Sequence, residues 1–199
     1  MIMSNFFING EPVDVQFDNE KTVGEVLRSF EMTCEDNKAA VIGITVNGKI
    51  ITAEIFDEEA EKPLTPETKF EFSVVTEQSI KDSFANLSKL FDELSAKMEQ
   101  VPVELQTGKN KTAIESIKNL ADSIDQFCHV AALASLFPET FKMISIENKS
   151  FNDFFAEFSP ILQDFEQALQ NNDSVLIGDL SEYEICPRLR SISEALKQI

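Results

Sequence analysis

The stretch FEFSVVTEQSIKDSFANLSKLFDELSAKM, residues 70–98, contains a change of period that divides the chain. Phe70, Phe72 and Val74 alternate with Glu71 and Ser73, the two-residue period of a strand with one buried face. From Ser79 the period becomes helical, and Ile80, Phe84, Leu87, Phe91, Leu94, Met98, Val101 and Leu105 follow one another in steps of four and three. That is the pattern of a helix packed in a bundle or a coiled-coil-like seam. Ser79-Ile-Lys-Asp82 fits a capping box at its start, Pro102 interrupts it, and Gly108 is a natural stop. The expected class is therefore α+β, with a strand-rich domain at 1–77 and a helical domain at 78–199.

Upstream of the switch, Ser4 to Ile8 precedes Asn9-Gly10, after which Val13, Val15 and Phe17 alternate with Asp14, Gln16 and Asp18. Asn-Gly between alternating runs predicts an antiparallel hairpin, because both central residues of a type I′ turn need positive φ. Thr22-Val-Gly-Glu25 fits a capping box, and Val23, Val26, Leu27 and Phe30 share one face of the helix it opens. Ile42, Ile44 and Val46 predict a third strand, Asn47-Gly48 a second tight turn, and Ile50 to Ile55 a fourth strand. Asp57 to Glu61 reads as a solvated acidic loop kept irregular by Pro63 and Pro66, ahead of the last strand at Phe70.

Two strands, a crossing helix and further strands over residues 1–77 form an order that resembles the β-grasp, or ubiquitin-like, superfamily. Carrier members of that superfamily end in a free Gly-Gly, whereas here Val75-Thr-Glu-Gln78 runs into more chain, so the resemblance implies no covalent carrier role. Its iron–sulfur members hold a cluster with four cysteines, and this half contains only Cys34.

Downstream, Thr112-Ala-Ile-Glu115 fits a capping box for a second helix carrying Ile117, Leu120, Ile124, Phe127, Ala131 and Ala134 and ending near Pro138. Ser150-Phe-Asn-Asp153 opens a third, with Phe151, Phe154, Phe155, Phe158, Ile161, Leu162 and Phe165. Asp173 or Ser174 caps a fourth, in which Leu176, Leu180, Tyr183, Leu189, Ile192 and Leu196 are expected to face inward and Pro187 to mark a bend. Four helices with short connections predict an all-α up-down bundle.

The charge balance restricts partners. The 199 residues include 35 acidic and 17 basic side chains, net −18, and the excess occurs in both halves, with 16 acidic against 6 basic up to Glu77 and 19 against 11 beyond it. Such a field repels phosphate backbones and anionic lipid heads, so neither nucleic acid nor a membrane is an expected partner. Apolar runs such as Ala39 to Ile44 are far shorter than the roughly 20 residues of a spanning helix, and the amino terminus has no basic segment leading into a long apolar one. A cytoplasmic location is expected. Cys34, Cys128 and Cys186 are far apart and lack CxxC spacing, which suits reduced thiols. The neighbours Phe127, Val130, Ile185 and Leu189 suggest that Cys128 and Cys186 act as small core hydrophobes.

Catalytic signatures are absent from the sequence. There is no GxxxxGK[ST], GxGxxG, GxSxG or HExxH, and the single histidine, His129, sits in an apolar helical stretch with no Glu three residues before it, so a di-metal carboxylate motif fails. No cofactor or metal is expected. The candidate binding residues are Phe151, Phe154, Phe155 and Phe158, whose rings cover more than one narrow helix face, and Asp179, Glu182 and Tyr183, which share neighbouring helical surface. The phenylalanines either fill the interior or present a ring to a partner. The Asp179 group forms either a polar site inside the bundle or an exposed acidic face beside a buried tyrosine. Glu184 and Arg188 can pair at a spacing of four.

The expected function is a non-catalytic protein-binding adaptor, scaffold or assembly factor in a cytoplasmic complex, with a basic or amphipathic protein partner. A second reading is an acidic chaperone for the export or assembly of a filament or secreted subunit, and a third is a carboxylate-based enzyme or small-molecule sensor in the bundle. The expected docking surfaces are the open edge of the sheet and a groove between helices. The heptad stripe of the first long helix also suits a homodimer seam.

Overall fold

The structure is a computed structural model describing residues 2–3, 5–17, 19–141 and 144–199. Ser4 and Asp18, at the ends of the expected first hairpin, lie outside the described residues. The chain is α+β and separates into two compact units, residues 1–79 and 80–199.

The first unit contains β1 (Ile2–Met3), β2 (Phe6–Ile8), β3 (Glu11–Pro12), β4 (Val15–Gln16), α1 (Val23–Asp36), β5 (Ala39–Val46), β6 (Lys49–Ile50), α2 (Phe56–Ala60) and β7 (Phe70–Thr76). Five strands form one mixed sheet in the order β3-β2-β7-β5-β6, with β2 parallel to β7 and the other neighbours antiparallel. A separate short pair joins β1 to β4. Both Asn-Gly turns have the expected positive φ, 51° and 85° at Asn9 and Gly10 and 52° and 79° at Asn47 and Gly48. Their asparagines also hold β7 and the residue that leads into it. The Asn9 amide donates to the Val74 carbonyl at 3.0 Å and its Oδ1 accepts from Val74 N at 2.8 Å, while Asn47 Oδ1 accepts from Lys69 N at 2.8 Å. The core beneath the sheet is Phe6, Phe17, Val23, Val26, Leu27, Val46, Phe70 and Phe72. The Thr22–Glu25 capping box is present in both directions.

Two expectations for this unit are corrected. The fourth strand spans only Lys49–Ile50, and the acidic stretch after it is a helix, α2, not a loop. Glu59 explains the difference. It is only 4 % exposed and accepts from Lys49 Nζ and Lys62 Nζ, both at 2.7 Å, so one carboxylate of the acidic run is drawn inward by two ammonium groups. On the same helix Ala60 lies against α1 so closely that a Cβ at Gly24 would sit 2.7 Å from the Ala60 Cβ.

The second unit takes most of α3 (Glu77–Met98), then α4 (Val101–Gln106), α5 (Asn110–Ala134), α6 (Pro138–Phe141), β8 (Ser145–Ile146), β9 (Lys149–Ser150), α7 (Phe151–Gln170), α8 (Ser174–Asp179), a wide π-type stretch (Leu180–Ile185) and α9 (Cys186–Leu196). Ile80, Phe84, Leu87, Phe91, Leu94, Met98 and Val101 are all buried, so the heptad stripe packs inside this chain. The α3 cap is Thr76, three residues before the expected Ser79, with Thr76 Oγ1 accepting from Ser79 N and Ser79 Oγ accepting from Thr76 N, each at 3.0 Å. The expected Thr112–Glu115 box does not form, because α5 already begins at Asn110. Ser150 and Asp173 do cap α7 and α8.

The unit is not all-α. β8 and β9 make a hairpin across Glu147 and Asn148, whose φ values are 55° and 62°, and Ile146 buries completely to anchor it. A Glu-Asn turn lacks the glycine that marked the other two hairpins.

α3 and α9 run antiparallel in close contact. Ser193 Oγ donates to Ser88 O at 2.9 Å and Ser88 Oγ to Ser193 O at 3.1 Å. Seven residues along each helix, Ser95 Oγ and Cys186 Sγ each donate to the other's carbonyl at 3.4 Å. Outside these buried pairs, Lys197 bonds Asp92 at 2.9 Å and Arg190 bonds Glu99.

Replacing Gly24 with Ala forces α1 and α2 apart and should destabilise the first unit by about 1–3 kcal/mol, measured by denaturant unfolding. The two lysines hold the Glu59 carboxyl below its ordinary range, so its contribution is present above that range and lost as the pH falls through the depressed value. Thermal melts should therefore show Glu59→Gln less stable than wild type at pH 7 and the gap closing under acid; a gap that persists at low pH would contradict this.

Candidate functional site

An open apolar cleft of about 590 Å³ lies in the second unit where α5, α6 and the start of α7 meet α3. Its floor is a run of small residues, Ala131 and Ala134 on α5 and Ser135 at its C-cap, and its walls are the rings of Phe84, Phe127, Phe141 and Phe151. The small residues leave the space, and the bulky ones around it cannot collapse inward because they are braced ring against ring. Phe127 is the hub. Its centroid lies 5.6 Å from Phe91 edge-on, 5.2 Å from Phe151 and 5.6 Å from Phe155, while Phe151 and Phe155 stack at 4.7 Å.

The structure divides the four candidate phenylalanines. Phe154 and Phe158 are buried core residues, with the Arg188 guanidinium 5.9 Å from the Phe158 ring centre, whereas Phe151 and Phe155 are half-buried and Phe151 forms part of the cleft wall. From the sequence Ala131 and Ala134 are read only as part of the apolar face of their helix, and Ala132 and Ser135 are not singled out. Their clustering within one turn and a half was the available signal.

Asp179, Glu182 and Tyr183 do not form a site inside the bundle. All three are solvent-exposed, Tyr183 at 65 %. The π-type stretch widens the turn and carries Glu182 and Tyr183 outward, whereas Asp179 and Leu176 lie before it, on the outer side of α8. Ile177, Ser181, Ile185 and Leu189 face inward at steps of four, and Leu176 and Tyr183, expected inward from an α-helical period, face out. A hydrogen bond with Glu182 raises the Tyr183 hydroxyl pKa, reinforced by the Glu182 and Asp179 charges. The Glu184–Arg188 pair is formed, at 2.7 Å.

Cys128 is a second correction: it is exposed at the cleft, not part of the core, while Cys186 is buried as expected and so is Cys34. Burial pushes the Cys186 thiol up to about 11, against a lowering hydrogen bond with Ser95. Cys128 is raised by desolvation on its cleft side and by Asp125. His129 is exposed on α5. Among the described residues no three His, Cys, Asp or Glu side chains are grouped to hold a metal ion, and no helix is long and apolar enough to cross a membrane.

In the first unit, β6 pairs only with Thr45 and Val46, so among the described residues the outer edge of β5 from Ala39 to Gly43 has no strand beside it. A bulge between Val41 and Gly43 interrupts that edge and turns Ile42 outward.

Residues 5–76 match the family model described as the TP0873 N-terminal domain, and residues 82–195 match the one described as a domain of unknown function, DUF8042. An uncharacterised protein of Treponema pallidum (strain Nichols) is 24 % identical over 189 residues, which cover 95 % of this chain and 94 % of that protein. No solved structure matches the chain.

The thiols provide a direct check on the cleft. In the native protein a disulfide reagent should modify Cys128 quickly and leave Cys34 and Cys186 unmodified until denaturant is added, with the Cys128 rate rising with pH. Rapid native modification of more than one thiol would contradict this arrangement.

Proposed function

The chain belongs to the DUF8042 family, and we propose that it is a non-catalytic protein-binding component, an adaptor, scaffold or assembly factor, that receives a basic amphipathic helix in its phenylalanine cleft. The observation that carries this reading is an apolar cleft wide enough for side chains, opening on a unit in which acidic residues outnumber basic ones. An amphipathic helix binds such a groove through apolar residues at spacings of three and four, and basic residues on its flanks gain from the surrounding field. Three cysteines with no disulfide between them suit a reducing, cytoplasmic setting. The β-grasp reading of the first unit is supported by its sheet order, in which the hairpin strand β2 lies parallel to the final strand β7 and α1 packs over the core. A homodimer through the α3 heptads is disfavoured, since those residues already fill the chain's own interior.

Affinity capture with wild type and with Ala132→Lys, at low and high salt, tests this function. Ala132 is exposed and lines the cleft, so the substitution fills it and adds repulsion for a basic helix without removing a core side chain. One stoichiometric protein should be retained by wild type, weakened at high salt, and lost from Ala132→Lys, and Cys128 should be shielded from thiol reagents in the complex. A partner that binds both forms equally, or no partner at either salt, would overturn the proposal.

A further inference from the structure

The sheet of the first unit ends in an edge that is only half covered. β6 pairs with Thr45 and Val46, and Ile51 N donates to the Ile44 carbonyl at 2.9 Å, but no described strand lies beside β5 from Ala39 to Gly43. The phase of the ladder shows which backbone groups that edge offers. Opposite Val41 stands Val74, whose N–H and C=O are both engaged by the Asn9 side chain on the far side of β7. Val41 and Val74 are therefore a non-hydrogen-bonded pair, and the Val41 N–H and C=O point away from β7 to the open edge. Glu77 N donates to the Lys38 carbonyl at 2.9 Å, so Lys38 bonds toward the β7 side and the next residue, Ala39, turns its N–H and C=O outward as Val41 does. Two donor–acceptor pairs spaced two residues apart are what an added antiparallel strand engages. No proline or charged side chain interrupts Ala39 to Ile44.

A groove of about 270 Å³ opens at the same edge, between α1 and β5. Leu27, Val41, Ile44 and Phe56 are its apolar lining, and the exposed Arg28 and Glu31 supply its charge. The bulge between Val41 and Gly43 lets Val41 and Ile44 both pack toward the core, which lengthens the apolar wall on that side. A residue bonded to Val41 by an added strand projects its side chain on the same face as Val41, into this groove. Only Asn37 and Lys38 separate α1 from β5, so the strand runs back along the helix and Ala39 lies at the helix's carboxyl-terminal end. Glu35, one turn beyond Glu31 on the same helix face, is at that end too. Lys38 is held there by Glu77 at 3.3 Å, and Arg28 stands toward Ile44 at the other end of the groove.

We propose that the open edge of β5 takes up an extended segment of a partner protein as an added antiparallel strand. An apolar side chain opposite Val41 fills the α1–β5 groove, and a basic side chain opposite Ala39, two positions later in the segment, lies beside Glu31 and Glu35. The backbone bonds attach the segment, and the two side chains select it. A second copy of this chain is a poorer occupant, because two chains of net charge −18 repel each other. The inference does not depend on the phenylalanine cleft, which belongs to the other unit.

Amide spectra of the full chain, titrated with the capped peptide acetyl-Ser-Ile-Thr-Val-Thr-Lys-Ser-amide, test it. Saturable shifts are expected from Ala39 to Ile44, and hydrogen exchange at the Ala39 and Val41 amides, fast in the free protein, should slow roughly tenfold or more at saturation. N-methylation of the peptide valine removes its donor to the Val41 carbonyl and should weaken binding roughly tenfold or more. Changing the peptide lysine to glutamate should weaken it about threefold, and Glu31→Lys in the protein should reverse that preference. Two of these changes are in the peptide and Glu31 is exposed, so loss of binding is separable from misfolding. Absence of saturable shifts at this edge, equal binding of the N-methylated peptide, or equal binding of the lysine and glutamate forms would overturn the proposal. So would slow exchange of the Ala39 and Val41 amides in the free protein, which, if it depends on protein concentration, assigns the edge to a second copy.

Discussion

Close approach of α3 and α9 is the constraint on which the second unit depends. Ser88 and Ser95 on one helix meet Ser193 and Cys186 on the other, so no bulky side chain separates the backbones along that line. Buried hydroxyls are tolerated there because each donates to a carbonyl of the opposite helix, and a hydroxyl without that partner would be destabilising. Asp92–Lys197 and Glu99–Arg190 repeat the same seven-residue interval on the wet side of the contact. Those exposed pairs contribute little stability each.

With α9 on its small-residue side, the large apolar stripe of α3 is free to pack against the rest of the unit. The consequences appear along α5. Its carboxyl-terminal half meets Phe84 and the α7 rings, where small residues leave an apolar cleft, and its amino-terminal half faces Glu93, Lys97 and Glu104, where the wall is polar. One helix therefore borders two clefts of different chemistry.

The first unit is held by a different device. Asn9 and Asn47 supply the positive φ of their turns and also bond the backbone of Val74 in β7 and of Lys69 just before it. Each hairpin tip is thereby tied to the strand that joins the two halves of the sheet. Glu59 serves a comparable purpose for α2, whose acidic composition alone would favour solvent.

Local signals were legible wherever one residue type performs one local task. The period switch at residues 70–80, both Asn-Gly turns, the Thr22 capping box and the caps at Ser150 and Asp173 are properties of a few neighbouring residues, and the sequence by itself determined them, together with the α+β class and the acidic field. The β8–β9 hairpin was not legible, because Glu147 and Asn148 adopt positive φ without glycine and only the burial of Ile146 makes that conformation worthwhile. Helical periodicity predicted Tyr183 inward, and the π-type stretch at Leu180–Ile185 reversed it. The cleft around Phe127 and the inward Glu59 were decided only by tertiary structure. Each depends on the distance between residues far apart in the chain, and that distance is set by how the elements pack, which no local pattern records.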